Sequence, residues 1–491
     1  MKVLFILNVS KMFERLGPMC LSGVLKPQGH DVRLLFTWGL SGEEILSRVR
    51  AFSPGVIAYS IMTGEEHSHL RINRDLKRHL DFFAVFGGPH PTFNPDLIGE
   101  AGVDAVCVGE GDYAFRDMLA AMEEGRDFTR TKNFRFKTGG KIVVNDLAPL
   151  IENLDELPLP DRALASAADS RIGADLLRCF AAMRGCPYPC TYCFNHVYNA
   201  MMKGKGSMLR YRSVSGMIRE FRAVQKDRGL TRALVVDDTF LIKPPGWLEE
   251  FAERFPREVG IGFLCNIRPN LASRRNIRQL KRAGCRGVFM GVETGDNEAA
   301  EKVLKRRVSN ETIVQAAQEL HRQGIRLITQ NLVGLPVDDP LSVDMKTLDL
   351  NLRLRPSVAN ARLVYPYPKT ELAAIAARAG LLERNAAEAP HNTYLRTAIR
   401  FKEAATKRRI ENLAKLFSLV VAFPILRPLV PLLIRLPFSR LYSHLFLLRW
   451  GSSAISLYFG WEHFARNFPR WIIYYLHFLQ GRRKPAYPAS D

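Results

Sequence analysis

Short apolar runs alternate with amphipathic segments over the first 145 residues of the chain. Apolar runs of this length predict buried strands, and the amphipathic segments between them predict helices. Strands that alternate with helices favour a parallel sheet covered on both faces, as in a flavodoxin-like, Rossmann-type domain. The five predicted strands lie at residues 3–7, 32–36, 56–59, 83–86 and 105–108.

A second alternating series begins near residue 176 and predicts an α/β barrel or partial barrel of about six strands. The proline-rich stretch Leu157-Pro-Leu-Pro160 between the two series favours a rigid, non-helical connection. We therefore predict a first domain at 1–145, a linker at 146–175, a barrel at 176–370 and a helical region at 371–491. The predicted barrel strands lie at 176–183, 233–236, 261–265, 287–292, 325–333 and 361–365.

Three cysteines, Cys186, Cys190 and Cys193, follow the first predicted barrel strand with the spacing CxxxCxxC. Three thiolates can hold one iron–sulfur cube and leave one iron open for a further ligand. A structural zinc site usually adds a second cysteine pair or spaced histidines, and only His196 lies close in the sequence. A disulfide framework does not suit eight cysteines in 491 residues without a secretory signal.

Acidic residues follow two of the predicted barrel strands, at the edge where barrel enzymes place their active sites. Asp237 and Asp238 can accept the ammonium group of an amino-acid-like cofactor, and Glu293 can accept ribose hydroxyls. The alternative is that such residues cap the next helix. For Asp238 both interpretations stand on the sequence alone.

Two further groups complete the predicted cofactor site. Arg210 and Arg212 follow the cysteine loop, and a planar guanidinium is suited to holding a carboxylate. The segment from Asn331 to Gly334 can present backbone amides to an adenine ring.

Polar and small residues follow the third, fourth and fifth strands of the first domain. They are Ser60 and Thr63, the pair Gly87 and Gly88, and Glu110. Ligands of parallel sheets bind beyond these carboxyl ends, and glycine lets a bulky ligand approach the backbone. A plain tight turn is the other explanation of the glycine pair.

The cysteine motif, closed by the aromatic Phe194, resembles the signature of the radical S-adenosylmethionine (SAM) enzymes. The segments GGPHPT (87–92) and VDAVCVGEGD (103–112) resemble the cobalamin-binding domain that precedes many radical SAM cores. In the barrel, the segments KRAGCRGVFMGVETG (281–295), NLVGLP (331–336) and YPYPKTEL (365–372) are similar to motifs of cobalamin-dependent radical SAM proteins.

The resemblance implies a 4Fe–4S cluster on the three cysteines, SAM on the residues of the barrel and cobalamin on the residues of the first domain. Two departures stand out: the DxHxxG loop that offers a histidine to cobalt is missing, and Asp338-Asp339 replaces the usual Glu after NLVGLP. We interpret His30 and His90 as turn or surface histidines. Cobalamin would then bind without a protein histidine on its lower face.

The reaction that the resemblance implies is radical functionalisation of an unactivated carbon, with methylation as the leading hypothesis. Ring formation or rearrangement without methyl transfer is one alternative, and a non-catalytic iron–sulfur electron carrier is another. No catalytic residue is assigned beyond the cofactors. We expect a flavodoxin- or ferredoxin-type electron donor.

The formal charge of +21 is concentrated towards the end of the chain, where residues 401–491 hold 14 Lys and Arg against 4 Asp and Glu. No nucleic-acid module is recognisable, so an anionic membrane surface is the partner we expect. The apolar runs there are too short to span a bilayer. Two interpretations stand: an interfacial segment that draws a hydrophobic substrate from lipid, or a helical cap on the barrel.

Composition and the start of the chain bear on location. The chain is 47% hydrophobic and 24% charged, which is typical of a globular protein. The first residues predict a buried strand rather than a signal peptide. We therefore expect the protein in the reducing cytoplasm, peripheral on the inner face of the membrane.

Overall fold

A computed structural model describes residues 1–8, 14–168, 177–228, 230, 232–382 and 394–454. Among the described residues, the chain divides into two compact units, one of residues up to 168 with 200–210, the other of residues 177–199 with 211–454. The first unit contains one sheet with the strand order β2-β1-β3-β4-β5-β6-β7. Its strands are β1 (Lys2–Leu7), β2 (Asp31–Phe36), β3 (Val56–Ser60), β4 (Phe83–Gly87), β5 (Ala105–Cys107), β6 (Phe134–Thr138) and β7 (Lys141–Val144).

Strands β1 to β5 are parallel, and the order 2-1-3-4-5 is the flavodoxin-like order predicted from the sequence. Alternate residues of β1 enter different cores: Phe5 packs on one face of the sheet and Ile6 on the other. Burial on both faces explains why the strands are apolar throughout. The helices are α1 (Leu16–Leu25), α2 (Gly42–Phe52), α3 (Glu66–Lys77), α4 (Pro89–Phe93), α5 (Asp112–Glu123) and α6 (Arg162–Ala168).

The antiparallel hairpin β6–β7 was not among the predicted strands, because Arg135, Lys137 and Lys141 interrupt its apolar residues and β7 is largely exposed. Its turn is Gly139-Gly140, and both glycines have positive φ, 55° and 72°. Two such residues give the turn that matches the twist of a hairpin. Helix α6 occupies part of the predicted linker and contacts α1 and β2.

The second unit contains a six-stranded parallel sheet in the order β15-β14-β13-β12-β11-β8, the predicted partial barrel. Its strands are β8 (Leu177–Phe180), β11 (Arg232–Val235), β12 (Gly262–Ile267), β13 (Cys285–Glu293), β14 (Arg326–Val333) and β15 (Val358–Leu363). Two further short strands are β9 (Met183–Arg184), in this unit, and β10 (Arg210–Tyr211), whose first residue belongs to the first unit.

The main core of this unit lies between the sheet and its outer helices. A smaller cluster fills the concave side, where Leu264, Phe289, Ile328 and Val358 meet. These residues identify the inward-facing positions of four strands. The helices are α7 (Phe194–Met201), α8 (Val214–Arg228), α9 (Trp247–Glu258), α10 (Arg274–Arg282), α11 (Asn310–Arg322) and α12 (Pro340–Leu354).

The later helices are α13 (Glu371–Arg378), α14 (Ala404–Ala422), α15 (Val430–Leu433) and α16 (Ser439–Ala454). Helix α14 contacts β15 and α12, and its residues Leu413, Leu416 and Phe417 are buried. Helix α14 therefore packs on the second unit through an apolar face. Within the described part of the chain, every helix is too short or too polar to cross a bilayer. The predicted interfacial segment lies within residues 401–491, and the part of it beyond residue 454 lies outside the described residues.

Candidate functional site

The three cysteines lie in one loop between β9 and α7. Cys190 is buried, and Cys186 and Cys193 are partly accessible. The pKa of the Cys193 thiol is raised to about 12, mainly by burial, with smaller contributions from the charges of Asp238, Cys190 and Cys186. Burial also raises the pKa of Cys186, with smaller effects from nearby groups that include Cys190. The sulfurs are thus close enough to interact electrostatically.

The surroundings of the loop bear on the zinc alternative. Among the described residues, no three His, Cys, Asp or Glu side chains converge tightly enough to hold a single metal ion. A cubane spreads its thiolates more widely, because each binds a different iron. His196, the nearby fourth ligand of the zinc alternative, instead accepts a hydrogen bond from the backbone amide of Glu371 at 3.3 Å.

Asp237 anchors the chain that leads into the cysteine loop. One carboxylate oxygen accepts the backbone amides of Ala182 and Met183, at 2.7 and 3.1 Å, and the other lies 2.9 Å from Lys243 Nζ. Both side chains of the Asp237–Lys243 pair are almost fully buried. These contacts favour a structural role for Asp237 over the predicted bond to an ammonium group.

Asp238 has a different environment from its neighbour. Its side chain is accessible, although desolvation by the surrounding protein raises the pKa of its carboxyl group. Asn195, two residues after Cys193, hydrogen-bonds it, and its charge contributes to the raised pKa values of Cys186 and Cys193. The structure therefore brings Asp238 to the cysteine loop.

Glu293 ends β13 beside the same loop. Desolvation raises the pKa of its carboxyl group, which Arg306 and a hydrogen bond with Tyr192 oppose. Tyr192 lies between the second and third cysteines, and its hydroxyl is 3.5 Å from Arg306 Nη1. Gly291 makes the arrangement possible, because a Cβ there would lie 2.6 Å from Glu293 Oε1. Tyr192 was missed in the sequence analysis, although it is part of the cysteine motif.

Arg210 and Arg212 both pair with carboxylates of this chain. In the first unit, Arg210 Nη1 lies 2.8 and 2.9 Å from the two oxygens of Glu110. In the second unit, Arg212 pairs with the buried Glu220. The predicted role of each arginine in holding a cofactor carboxylate would require it to leave or share this partner.

Asn331 faces α12 rather than the concave side of the sheet. Its amide oxygen accepts from Asn351 at 2.7 Å, and its amide nitrogen donates to the carbonyl of Asn360 at 2.9 Å. The amide of Gly334 donates to both oxygens of the buried Asp344, at 2.9 and 3.0 Å. Of the backbone amides predicted to meet an adenine ring, that of Gly334 is thus engaged within the protein.

Two arginines at the inward-facing positions were not predicted. Arg268 lies four residues after the inward-facing Leu264, and its Nη1 is 3.3 Å from Cys190 Sγ. Arg362 lies four residues after Val358, with its guanidinium 5.1 Å from the ring centroid of Tyr394. The two-residue alternation within β15, and its continuation just past the end of β12, could have identified both positions.

In the first unit, the predicted cobalamin residues lie at the carboxyl edge of the sheet. Gly88 has φ 95°, and a Cβ there would meet Ser60 Oγ at 3.3 Å. Thr63 Oγ1 lies 3.3 Å from His90 Nδ1. A Cβ added at Gly109, after β5, would meet no atom within 4 Å, so a ligand can approach that side of the residue. Hydroxyls and exposed backbone at this edge fit a bulky polar ligand such as cobalamin.

Both histidines are buried, which corrects the surface part of their interpretation as turn or surface residues. His90 is 9% exposed and its Nδ1 lies 3.7 Å from a carboxylate oxygen of Glu66. His30 is 5% exposed, and burial is the main reason that its pKa is lowered. Both histidines interact with other residues of the protein, so binding cobalt would require either of them to give up these partners.

Comparison with known families gives two matches. The radical SAM superfamily matches residues 181–344, and the B12 binding domain family matches residues 3–119. The matched ranges include the cysteine loop with Glu293 and the carboxyl edge of the first sheet, respectively. Both agree with the resemblances noted in the sequence.

Three curated proteins are similar over much of the chain. An uncharacterized methyltransferase of Pyrococcus horikoshii is 24% identical, over 73% of this chain and 77% of its own length. The hopanoid C-3 methylase of Methylococcus capsulatus is 26% identical, and the match covers 74% of this chain and 70% of that protein. The anaerobic magnesium-protoporphyrin IX monomethyl ester cyclase of Synechocystis is 27% identical, and the match covers 65% of this chain and 63% of that protein.

A solved structure supports the fold. The cobalamin-dependent S-adenosylmethionine radical enzyme OxsB, in its apo form, superposes with a TM-score of 0.67 at 16% identity. The match covers 99% of this chain and 77% of that one. At this identity the likeness concerns the fold alone.

Proposed function

The chain belongs to the radical SAM enzymes that carry a B12-binding domain, and from that premise we propose that it methylates an unactivated carbon of a hydrophobic substrate. When bound, the iron–sulfur cluster and SAM supply radical chemistry, and cobalamin supplies methyl transfer. The observation that supports this proposal most is the convergence of the cysteine loop with Asp238 and Glu293.

Each side chain at this convergence has a proposed role. Cys186, Cys190 and Cys193 bind the cluster. Asp238 accepts the ammonium group of SAM, for which its accessible carboxylate is suited. Glu293, buried against Tyr192, accepts the ribose hydroxyls.

The proposed substrate is hydrophobic, such as a polyprenoid, an acyl chain or a tetrapyrrole. The relatives include enzymes whose names refer to a hopanoid and to a magnesium porphyrin. Apolar side chains also line the base of the concave side of the barrel. We further propose a flavodoxin- or ferredoxin-type protein as the electron donor.

The direct test is incubation of anaerobically reconstituted protein with SAM, cobalamin, a reductant and candidate hydrophobic substrates. We expect 5′-deoxyadenosine and a product heavier by one methyl group. The cyclase relatives favour a second candidate, ring formation without methyl transfer. That reaction would give 5′-deoxyadenosine and a product without the added methyl group.

Cysteine variants test the cluster itself. Replacing any one of Cys186, Cys190 and Cys193 with Ala should lower the iron content strongly and abolish SAM cleavage. The matched control is Cys20→Ala in α1, a cysteine that is also partly accessible. A cluster whose spectrum does not respond to SAM would instead support the non-catalytic electron carrier.

We also propose that the second unit docks on an anionic membrane surface through residues 423–448, here called the basic apolar face. Its seven exposed large apolar side chains include Ile425, 84% exposed, and Leu432, 60% exposed. The segment contains three arginines, Arg427, Arg435 and Arg440, and no Asp or Glu. Exposed apolar groups with cationic neighbours suit the interface of an anionic bilayer.

Vesicle sedimentation tests the basic apolar face. We expect binding to phosphatidylcholine vesicles that contain phosphatidylglycerol, with weaker binding to phosphatidylcholine alone and in high salt. Ile425→Glu and Leu432→Glu should weaken binding. The control is Ile142→Glu, because Ile142 is 50% exposed in the first unit. Equal binding by all these proteins would refute the proposed docking surface.

A further inference from the structure

Arg268 is a buried arginine in direct contact with Cys190 of the cysteine loop. It follows the end of β12 and is 7% exposed. Its Nη1 donates a hydrogen bond to Cys190 Sγ, at 3.3 Å. Cys190 is the most buried of the three loop cysteines, so its sulfur has little access to water.

The guanidinium is fixed from several sides. Its Cζ atom lies 3.8 Å from the ring centroid of Tyr188, which is also in the cysteine loop. Its Nε donates to Asn270 Oδ1 at 3.0 Å, and Asn270 Nδ2 in turn lies 3.3 Å from the Tyr188 hydroxyl. A planar cation that stacks on an aromatic ring and donates through several nitrogens is held in one orientation. Lysine cannot reproduce this arrangement.

We propose that Arg268 is a positioning residue that donates a hydrogen bond to the Cys190 thiolate and raises the reduction potential of the cluster. The proposal rests on the proposed function, since it requires a cluster on Cys186, Cys190 and Cys193. A donor to a ligand sulfur withdraws electron density from the iron and stabilises the reduced, more negative cluster. A charged donor in a buried site strengthens this effect.

The test is the midpoint potential of the reconstituted cluster, measured by a redox titration of the EPR signal of its reduced form. We expect Arg268→Met to lower the equilibrium constant for one-electron reduction about tenfold, which corresponds to about 59 mV. Arg268→Lys keeps the charge and a donor, so its potential should lie between wild type and Arg268→Met. The control is Arg286→Met. Arg286 is an exposed arginine near the start of β13, whereas Glu293 and the cysteine loop lie at the end of that strand.

The outcomes separate this proposal from the proposed function. If wild type holds no iron–sulfur cluster, both are wrong. If wild type and Arg268→Met hold clusters of equal potential, only the role of Arg268 is refuted. If Arg268→Met does not assemble a cluster, Arg268→Lys decides: a lowered potential supports the role, and an unchanged one refutes it.

Discussion

The guanidinium of Arg210 contacts both carboxylate oxygens of Glu110, at 2.8 and 2.9 Å, so two residues predicted for different cofactors bind each other. Arg210 also donates to the carbonyl of Ile151, and Glu110 accepts from the amide of the same residue. The pair is largely buried within the first unit. It therefore ties the loop after β5 to the chain near residue 151.

Arg210→Met should destabilise the first unit, because it leaves the Glu110 carboxylate without its cation. The expected loss is about 3–5 kcal/mol, the range for breaking a buried pair from one side. Urea titration followed by circular dichroism measures this loss. The double variant Arg210→Met with Glu110→Gln removes both charges and should recover part of it. A variant of normal stability that no longer binds SAM would support the cofactor role predicted from the sequence.

Gly291→Ala should weaken SAM binding about tenfold, which corresponds to about 1.4 kcal/mol. The new Cβ would lie 2.6 Å from Glu293 Oε1 and 3.1 Å from Arg306 Nη2, so the carboxylate must move. Equilibrium binding to the reconstituted protein measures the change. Gly451→Ala in α16 is the control, because no atom lies within 4 Å of a Cβ there. Unchanged affinity for Gly291→Ala would separate Glu293 from SAM.

The sequence predicted the strands of both parallel sheets well, because burial on two faces leaves continuous apolar runs. The hairpin β6–β7 escaped prediction because its strands are short, basic residues interrupt its apolar positions, and β7 is largely exposed. The cysteine loop was predicted from its spacing and from a family resemblance, and both could be used because its three cysteines are local in the sequence.

Side-chain direction and distant partners were harder to predict. Asp237 and Asp238 are adjacent and chemically identical, yet one is buried on the amides of the loop and the other is accessible. Glu110 is 100 residues from Arg210, and no local pattern indicates that they meet. Arg268 could have been found, because it continues the inward-facing alternation from Leu264.

Asp344 should make the stability of the second unit depend on pH. Complete burial raises the pKa of its carboxyl group well above the usual value, and the amide of Gly334 only partly offsets this. At pH values between the unfolded and folded pKa of Asp344, the folded state binds more protons than the unfolded state. The contribution of Asp344 to the free energy of unfolding is therefore fully present at low pH. It is lost as pH rises from about 4 through the folded pKa.

Asp344→Asn should remove this pH dependence, because the asparagine side chain does not titrate. Its amide oxygen can still accept the hydrogen bond from the backbone amide of Gly334. Denaturation of wild type and variant across a pH series, followed by circular dichroism, measures the difference. The control is Asp349→Asn, whose carboxylate is half exposed and pairs with Arg427. A parallel decline of wild type and Asp344→Asn with rising pH would contradict this account of the buried carboxyl group.

Lys243→Met should both destabilise the second unit and reduce its iron content. Lys243 is the buried cation opposite Asp237, and its ammonium also lies 4.7 and 5.2 Å from the ring centroids of Phe240 and Trp247. Its loss leaves a buried carboxylate compensated only by the amides of Ala182 and Met183. We expect a loss of about 3–5 kcal/mol.

The iron content falls because those two amides immediately precede the cysteine loop, so movement of Asp237 displaces the segment that positions Cys186. Iron analysis after anaerobic reconstitution measures this effect, and urea titration measures stability. Asp237→Asn combined with Lys243→Met removes both charges and retains an oxygen that can accept the amides, so it should regain more iron than Lys243→Met alone. If the single variant holds as much iron as wild type, Asp237 stabilises the fold without positioning the loop.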